Sequence, residues 1–167
     1  TLAWMNNTVH PTFTHIFMPQ KFSDNAAIHD DLKRFNTALF ARQLGEIEAL
    51  AERVLGAPGQ GKGAYLGGNH LGPLDAYALT LLRWGSIVGL EPTRFPTLWS
   101  HVQKVAALPA VARVIERERL QLNMYQPGTR TRRLFLCCPG GFFLQKVRQV
   151  ELRRHAHALV DDPLLGN

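Results

Sequence analysis

Between residues 25 and 55 the chain repeats Ile28, Leu32, Phe35, Leu39, Gln43, Ile47, Leu50, Val54 and Leu55 along one face of a helix. The spacing predicts one long helix over that range, with Ser23 or Asp24 as its N-cap. The Gly- and Pro-rich run GAPGQGKG ends it. Leu2, Met5, Val9, Phe13, Ile16 and Phe17 carry the same period ahead of it, and Pro11 predicts a kink or a helix restart there. Further helices are predicted over 73–88, 96–107 and 109–119, with Pro92, Pro96 and Pro109 at their boundaries. No segment sustains the two-residue alternation of a strand. The body, residues 1–120, therefore reads as an all-α helical bundle, followed by an irregular basic tail over 121–167.

Composition narrows the class. Apolar residues make up 46% of the 167 and charged residues 19%, as in soluble globular chains. No window approaches 18 uninterrupted apolar residues, so no membrane span is expected. The first residues lack the basic start and cleavage-like end of a signal peptide. They also lack an initiator Met, which suggests a processed chain or a piece of a longer one. Cys137 and Cys138 are adjacent and make no disulfide framework, so a reducing, cytoplasmic setting is expected. The net charge is +6, but residues 1–120 hold 12 Lys and Arg against 10 Asp and Glu, and residues 121–167 hold 7 against 3. The basic excess belongs to the tail, so a nucleic-acid partner is not expected for the body. A modest helix over 143–159 is predicted within the tail.

One carboxylate stands out. Asp75 opens the apolar run of YLGGNHLGPLDAYALTLLRW, residues 65–84. With Gly72 as N-cap and Pro73 at the first helical position, Asp75 occupies the third. There its side chain can reach back to the N-cap N–H and face the positive end of the helix dipole. Leu71 is placed to staple onto Ala76. Gly72 and Asp75 thus read as a structural cap, and no catalytic partner for Asp75 is visible.

That run resembles a segment of cytosolic glutathione transferases: Tyr-Leu-x-Gly, a staple hydrophobe, Ser/Thr-x-x-Asp-Ala, then an apolar helix ending in Arg-Trp in bacterial members. WMNNTVHPTF resembles the first helix of that family's C-terminal domain, and FPTLWSHVQKVAALPAVARVIERERL resembles its close. The resemblance covers residues 1 to about 120. It departs from the pattern where Gly72 replaces Ser or Thr, where Leu108 replaces a common Arg, and in the tail. The family's thioredoxin-like domain, which activates the glutathione thiol, is not among these 167 residues.

The resemblance implies a helical domain that forms the electrophile pocket and dimer contacts of a bacterial-type glutathione transferase. Glutathione would be co-substrate, with a hydrophobic electrophile and a homodimer as partners and no resident cofactor. It implies that His10 approaches the glutathione sulfur, although Pro11 stands where a basic residue often follows. It implies that Trp84 lines the electrophile pocket, and Phe13 and Phe17, one turn apart beside His10, could wall it. The residues alone also allow a half-buried surface histidine and ordinary core aromatics at these positions. No thiol-activating catalytic residue is assigned, and by itself the chain should be inactive. Arg83 reads as solvated. The alternative function is a non-catalytic interaction module built on the same fold.

Other patterns are weaker. Cys137, Cys138, His155 and His157 lack the spacing of a compact zinc site. GKG at 61–63 lacks the context of a phosphate loop. The change of composition after Leu120 suggests a shifted reading frame or a fused remnant.

Overall fold

The computed structural model describes residues 1–56 and 63–127. The predicted tail helix, both cysteines, His155 and His157 lie outside the described residues, as does most of the GAPGQGKG run. The described residues form an all-α bundle with no strand: α1 (Leu2–Trp4), α2 (His10–Phe17), α3 (His29–Leu55), α4 (Pro73–Ile87), α5 (Pro96–Ala106) and α6 (Pro109–Arg117). Short 3₁₀ turns cover Pro19–Lys21, Ala26–Ile28 and Pro92–Arg94. The compact unit runs from Thr1 to Pro127, seven residues past the change of composition.

The predicted kink at Pro11 takes another form. Met5–Val9 is a π-helical turn that joins α1 to α2 without a restart, and the His10 N–H donates to the Met5 carbonyl five residues back. Proline has no N–H and its ring crowds the carbonyl four residues earlier. A wider turn just before it relieves that crowding. Thr12 Oγ1 donates back to the Thr8 carbonyl at 3.0 Å.

Three helices begin with proline at the first position, Pro73, Pro96 and Pro109, where the missing N–H costs nothing. α3 itself has Ile28 at its N-cap position without a side-chain cap, and the capped start is that of the 3₁₀ turn ahead of it. Asn25, rather than Ser23 or Asp24, accepts the Ala27 N–H through its side chain at 3.0 Å. Ser23 instead accepts the Asn25 N–H. At the end of α4, Gly89 takes φ 86°, which lets the Leu90 N–H reach the Gly85 carbonyl at 2.9 Å and turns the buried Leu90 inward.

The face that α3 buries is rotated from the apolar stripe. Asn36, Phe40, Gln43, Leu44, Ile47, Glu48 and Ala51 are buried, whereas Phe35 is 65% exposed and Ile28 40% exposed. Gln43 and Ile47 of the predicted stripe are buried, but the polar Asn36 and Glu48, which lie off it, also point inward, so a count of apolar residues misjudges the direction. Glu48 explains one of them. Its Oε1 accepts the Thr97 N–H at 2.8 Å and its Oε2 the Leu98 N–H at 2.7 Å. Both amides belong to the first turn of α5, which has no cap of its own. A carboxylate from the middle of α3 thus closes the positive end of another helix. The central core forms around this contact from Phe13 and Ile16 of α2, Phe40, Leu44 and Ile47 of α3, Leu81 and Leu82 of α4, and Leu98 and Val102 of α5.

Replacing Glu48 by Gln leaves one oxygen for two buried amides and turns an NH2 toward the second. We expect Glu48→Gln to lower unfolding free energy by about 2–3 kcal/mol, read from the urea midpoint at constant m-value. An unchanged midpoint would mean that the α5 amides do not depend on this carboxylate.

Candidate functional site

Asp75 is fully buried. Its Oδ2 accepts the Gly72 N–H at 2.8 Å, as the cap reading requires. The Asp75 N–H donates to the Gly72 carbonyl at 3.1 Å, the backbone standing in for the missing Ser or Thr hydroxyl. The staple is absent: Leu71 is 43% exposed and Ala76 is exposed. The hydrophobe that packs here is Leu66, and its N–H donates to Asp75 Oδ1 at 2.8 Å.

The same oxygen receives a side chain that the sequence reading missed. His101 Nε2 lies 2.8 Å from Asp75 Oδ1, with both side chains buried. A carboxylate can only accept, so Nε2 carries the proton in this contact. Burial pushes His101 below the ordinary histidine value; the Asp75 hydrogen bond and charge oppose that, and Lys104 adds a small push in the same direction as burial. The pair therefore rests as neutral imidazole on carboxylate. Nearby, Lys104 Nζ donates to the Ala64 carbonyl at 3.0 Å and sits over the Tyr65 ring, which ties the 63–72 loop to α5.

The second cluster lies between α2 and α4. His10, Phe13 and Phe17 come from α2, and Trp84 from α4. Phe13 and Trp84 stack at 4.6 Å and 15°, Phe13 and Phe17 at 5.6 Å and 15°, and His10 meets Trp84 edge-on at 4.9 Å. All four residues singled out from the sequence stand in one group. Phe13 is buried and also touches Phe40, so it backs the group, whereas His10, Phe17 and Trp84 are half-buried. Parallel and edge contacts of this kind are the favoured aromatic geometries.

Two further polar residues join them. His10 Nδ1 lies 2.8 Å from Tyr77 Oη, and Tyr77 Oη donates to Asn6 Oδ1 at 3.1 Å. Both were legible in principle. Tyr77 is seven residues before Trp84 on α4, and Asn6 four before His10, spacings that share a helix face. Burial lowers His10 and raises Tyr77 relative to their ordinary values. At neutral pH the imidazole is uncharged and the phenol keeps its proton. The group thus offers flat apolar surface beside a neutral imidazole, suited to an aromatic ligand and one hydrogen bond or proton.

Arg83, next to Trp84, is not the solvated cation expected. Its Nε donates to the Gln121 carbonyl at 2.8 Å and its guanidinium lies 3.8 Å from Met124 Sδ. Ser86 Oγ accepts the Met124 N–H at 3.0 Å, so residues 121–124 are held against the end of α4. Among the described residues no three His, Cys, Asp or Glu side chains could hold a metal ion, and no helix is long and apolar enough to cross a membrane. Comparison with protein-family models, curated proteins and solved structures gives no match.

The Asp75–His101 pair fixes a pH dependence. The folded-state value of His101 lies below the unfolded value near 6.5, so the unfolded chain takes up the proton first. Stability contributed by neutral His101 is complete above about pH 6.5 and declines as pH falls toward the folded-state value. We expect the unfolding free energy to drop as pH falls below about 6.5, and His101→Gln to flatten that slope. Asp75→Asn should cost about 2–4 kcal/mol at pH 7, because three buried donors lose their anion. Chemical denaturation across that pH range measures both, and a slope unchanged in His101→Gln would contradict the assignment.

Proposed function

We propose that this chain is the helical domain of a glutathione-transferase-like protein, and that the group around His10 and Trp84 takes the apolar, electrophilic half of a conjugation substrate. The observation that carries the reading is the meeting of His10, Phe13, Phe17 and Trp84 in one cluster of rings. His10, Phe13 and Trp84 come from two segments that each resemble the family, and Phe17 follows the first of them by one turn. The buried Asp75 cap supports the same reading, since the family uses an Asp at that place in its motif. In this reading glutathione is co-substrate, its thiol activated by the family's thioredoxin-like domain, and the protein is a cytoplasmic homodimer without a resident cofactor. These residues by themselves are then expected to bind but not to conjugate.

A non-catalytic interaction module is the second reading. It is favoured by the exposed Phe35 on α3 and Ile28 in the 3₁₀ turn just before it, a surface that a partner protein could cover.

Titration with S-(dinitrophenyl)glutathione separates the two. The probe should shift the indole N–H resonance of Trp84, assigned by its loss in Trp84→Phe, and the shift should saturate. Phe17→Ala should weaken binding by about tenfold, equivalent to about 1.4 kcal/mol. A Trp84 resonance that never responds to the conjugate would overturn the substrate reading and leave the interaction module.

A further inference from the structure

We propose that Tyr77 and Asn6 are positioning residues that hold His10 as its Nδ1–H tautomer. Nε2 then carries the lone pair, and the group selects a ligand that donates an X–H proton, a thiol or a phenol in its protonated form.

The argument is an accounting of protons. Tyr77 has one hydroxyl hydrogen and two neighbours, His10 Nδ1 at 2.8 Å and Asn6 Oδ1 at 3.1 Å. An amide oxygen only accepts, so the hydroxyl hydrogen goes to Asn6. The oxygen of Asn6 faces Tyr77 because its Nδ2 donates to Asn7 Oδ1 at 2.8 Å. His10 Nδ1 must then be the donor to Tyr77 Oη. The chain runs in one direction from His10 through Tyr77 to Asn6. Reversing it requires both asparagine amides to turn over.

Three other features act with this chain. The His10 ring is also fixed by its edge contact with Trp84, so it is held at two points. Burial keeps the imidazole neutral at pH 7 and the Tyr77 phenol protonated, which the chain requires. A neutral imidazole whose single N–H is already committed has nothing to donate to an anion. It can only accept. The aromatic surface of Trp84 beside it suits a donor carried on a flat ring. The choice of ligand rests on the reading of this group as a substrate site; the tautomer does not.

The test uses the full chain, labelled with nitrogen-15. Long-range proton–nitrogen correlation spectra distinguish the two neutral tautomers, and His10→Gln assigns the signals. We expect His10 to show a protonated Nδ1 and an unprotonated Nε2. In Tyr77→Phe, with a thermal melt confirming that the variant is folded, the Nδ1–H population relative to Nε2–H should fall by about tenfold. A change of tautomer is not what a merely structural role for Tyr77 would produce. A His10 protonated at Nε2, or a tautomer unmoved by Tyr77→Phe, would overturn the proposal.

A second measurement compares p-cresol with p-methylanisole, which has the same ring without the donor, by their effect on the Trp84 resonance. Tighter binding of p-cresol, lost in Tyr77→Phe, supports the stated selection; equal binding overturns it. Should the dinitrophenyl conjugate fail while the tautomer holds, the substrate reading falls and the positioning role stands.

Discussion

A carboxylate with no exposed surface must have its charge answered from inside the fold, and Asp75 is answered by three donors from three places. Gly72 lies at the start of its own helix, Leu66 in the preceding loop, and His101 on α5. Removing a charge from water costs several kcal/mol, and only hydrogen bonds of good geometry recover it. All three here measure 2.8 Å. The contact therefore does more than end a helix. It joins the 63–72 loop, α4 and α5 at one atom pair, and the unfolded chain cannot form it piecemeal. Glu48 repeats the device between α3 and α5. The N-terminus of α5 is thus fixed by one buried carboxylate, and its middle meets the other.

This arrangement explains why the chemistry at the start of α5 is not local. α4 and α5 both open with a proline and have no side-chain hydroxyl cap. The first-turn amides of α5 depend on a carboxylate that tertiary packing brings, whereas α4 is capped by its own Asp75, whose other oxygen packing then engages. A mispacked bundle would leave those amides and the carboxylates unpaired together, a penalty that apolar burial alone does not impose. The two acids therefore help select one packing among the several that an all-apolar interface would tolerate.

The limits of what the sequence reveals follow the same division. Helix existence and boundaries were legible because their signals are local: Pro73, Pro96 and Pro109 at first positions, and the spacing of apolar residues. The Asp75–Gly72 bond was legible because three residues separate them. The partner of Asp75 on α5 was not, since His101 lies 26 positions away on a mostly apolar face. The inward face of α3 was misjudged for a related reason. Asn36 and Glu48 are buried there, and a pattern of hydrophobicity reads such residues as outward; of the buried polar residues only Gln43 stood on the predicted stripe. Asn36 bonds the Leu32 carbonyl on its own helix, and Gln43 Oε1 has no hydrogen-bond partner among the described residues. In the ring cluster, His10 and Trp84 were matched through a motif and Phe13 and Phe17 through their spacing, whereas Tyr77 and Asn6 lay inside the same segments without being singled out.

The two clusters are mechanically linked through α4. Asp75 fixes where that helix begins, Tyr77 follows two residues later, and Trp84 lies two turns further on. A helix advances about 100° per residue, so a slip of one residue at the start would swing Tyr77 away from His10 and Trp84 away from Phe13. The opposite wall has its own register device in the π turn of Met5–Val9, which sets Asn6 and His10 ahead of a proline that an unbroken α-helix would accommodate poorly. The geometry of the His10–Tyr77–Asn6 chain is therefore governed by features outside it: a buried anion at one end of α4 and a widened turn before α2. A hydrogen-bond chain held within 3.1 Å across two helices needs such fixed registers, because either helix turning alone would break it.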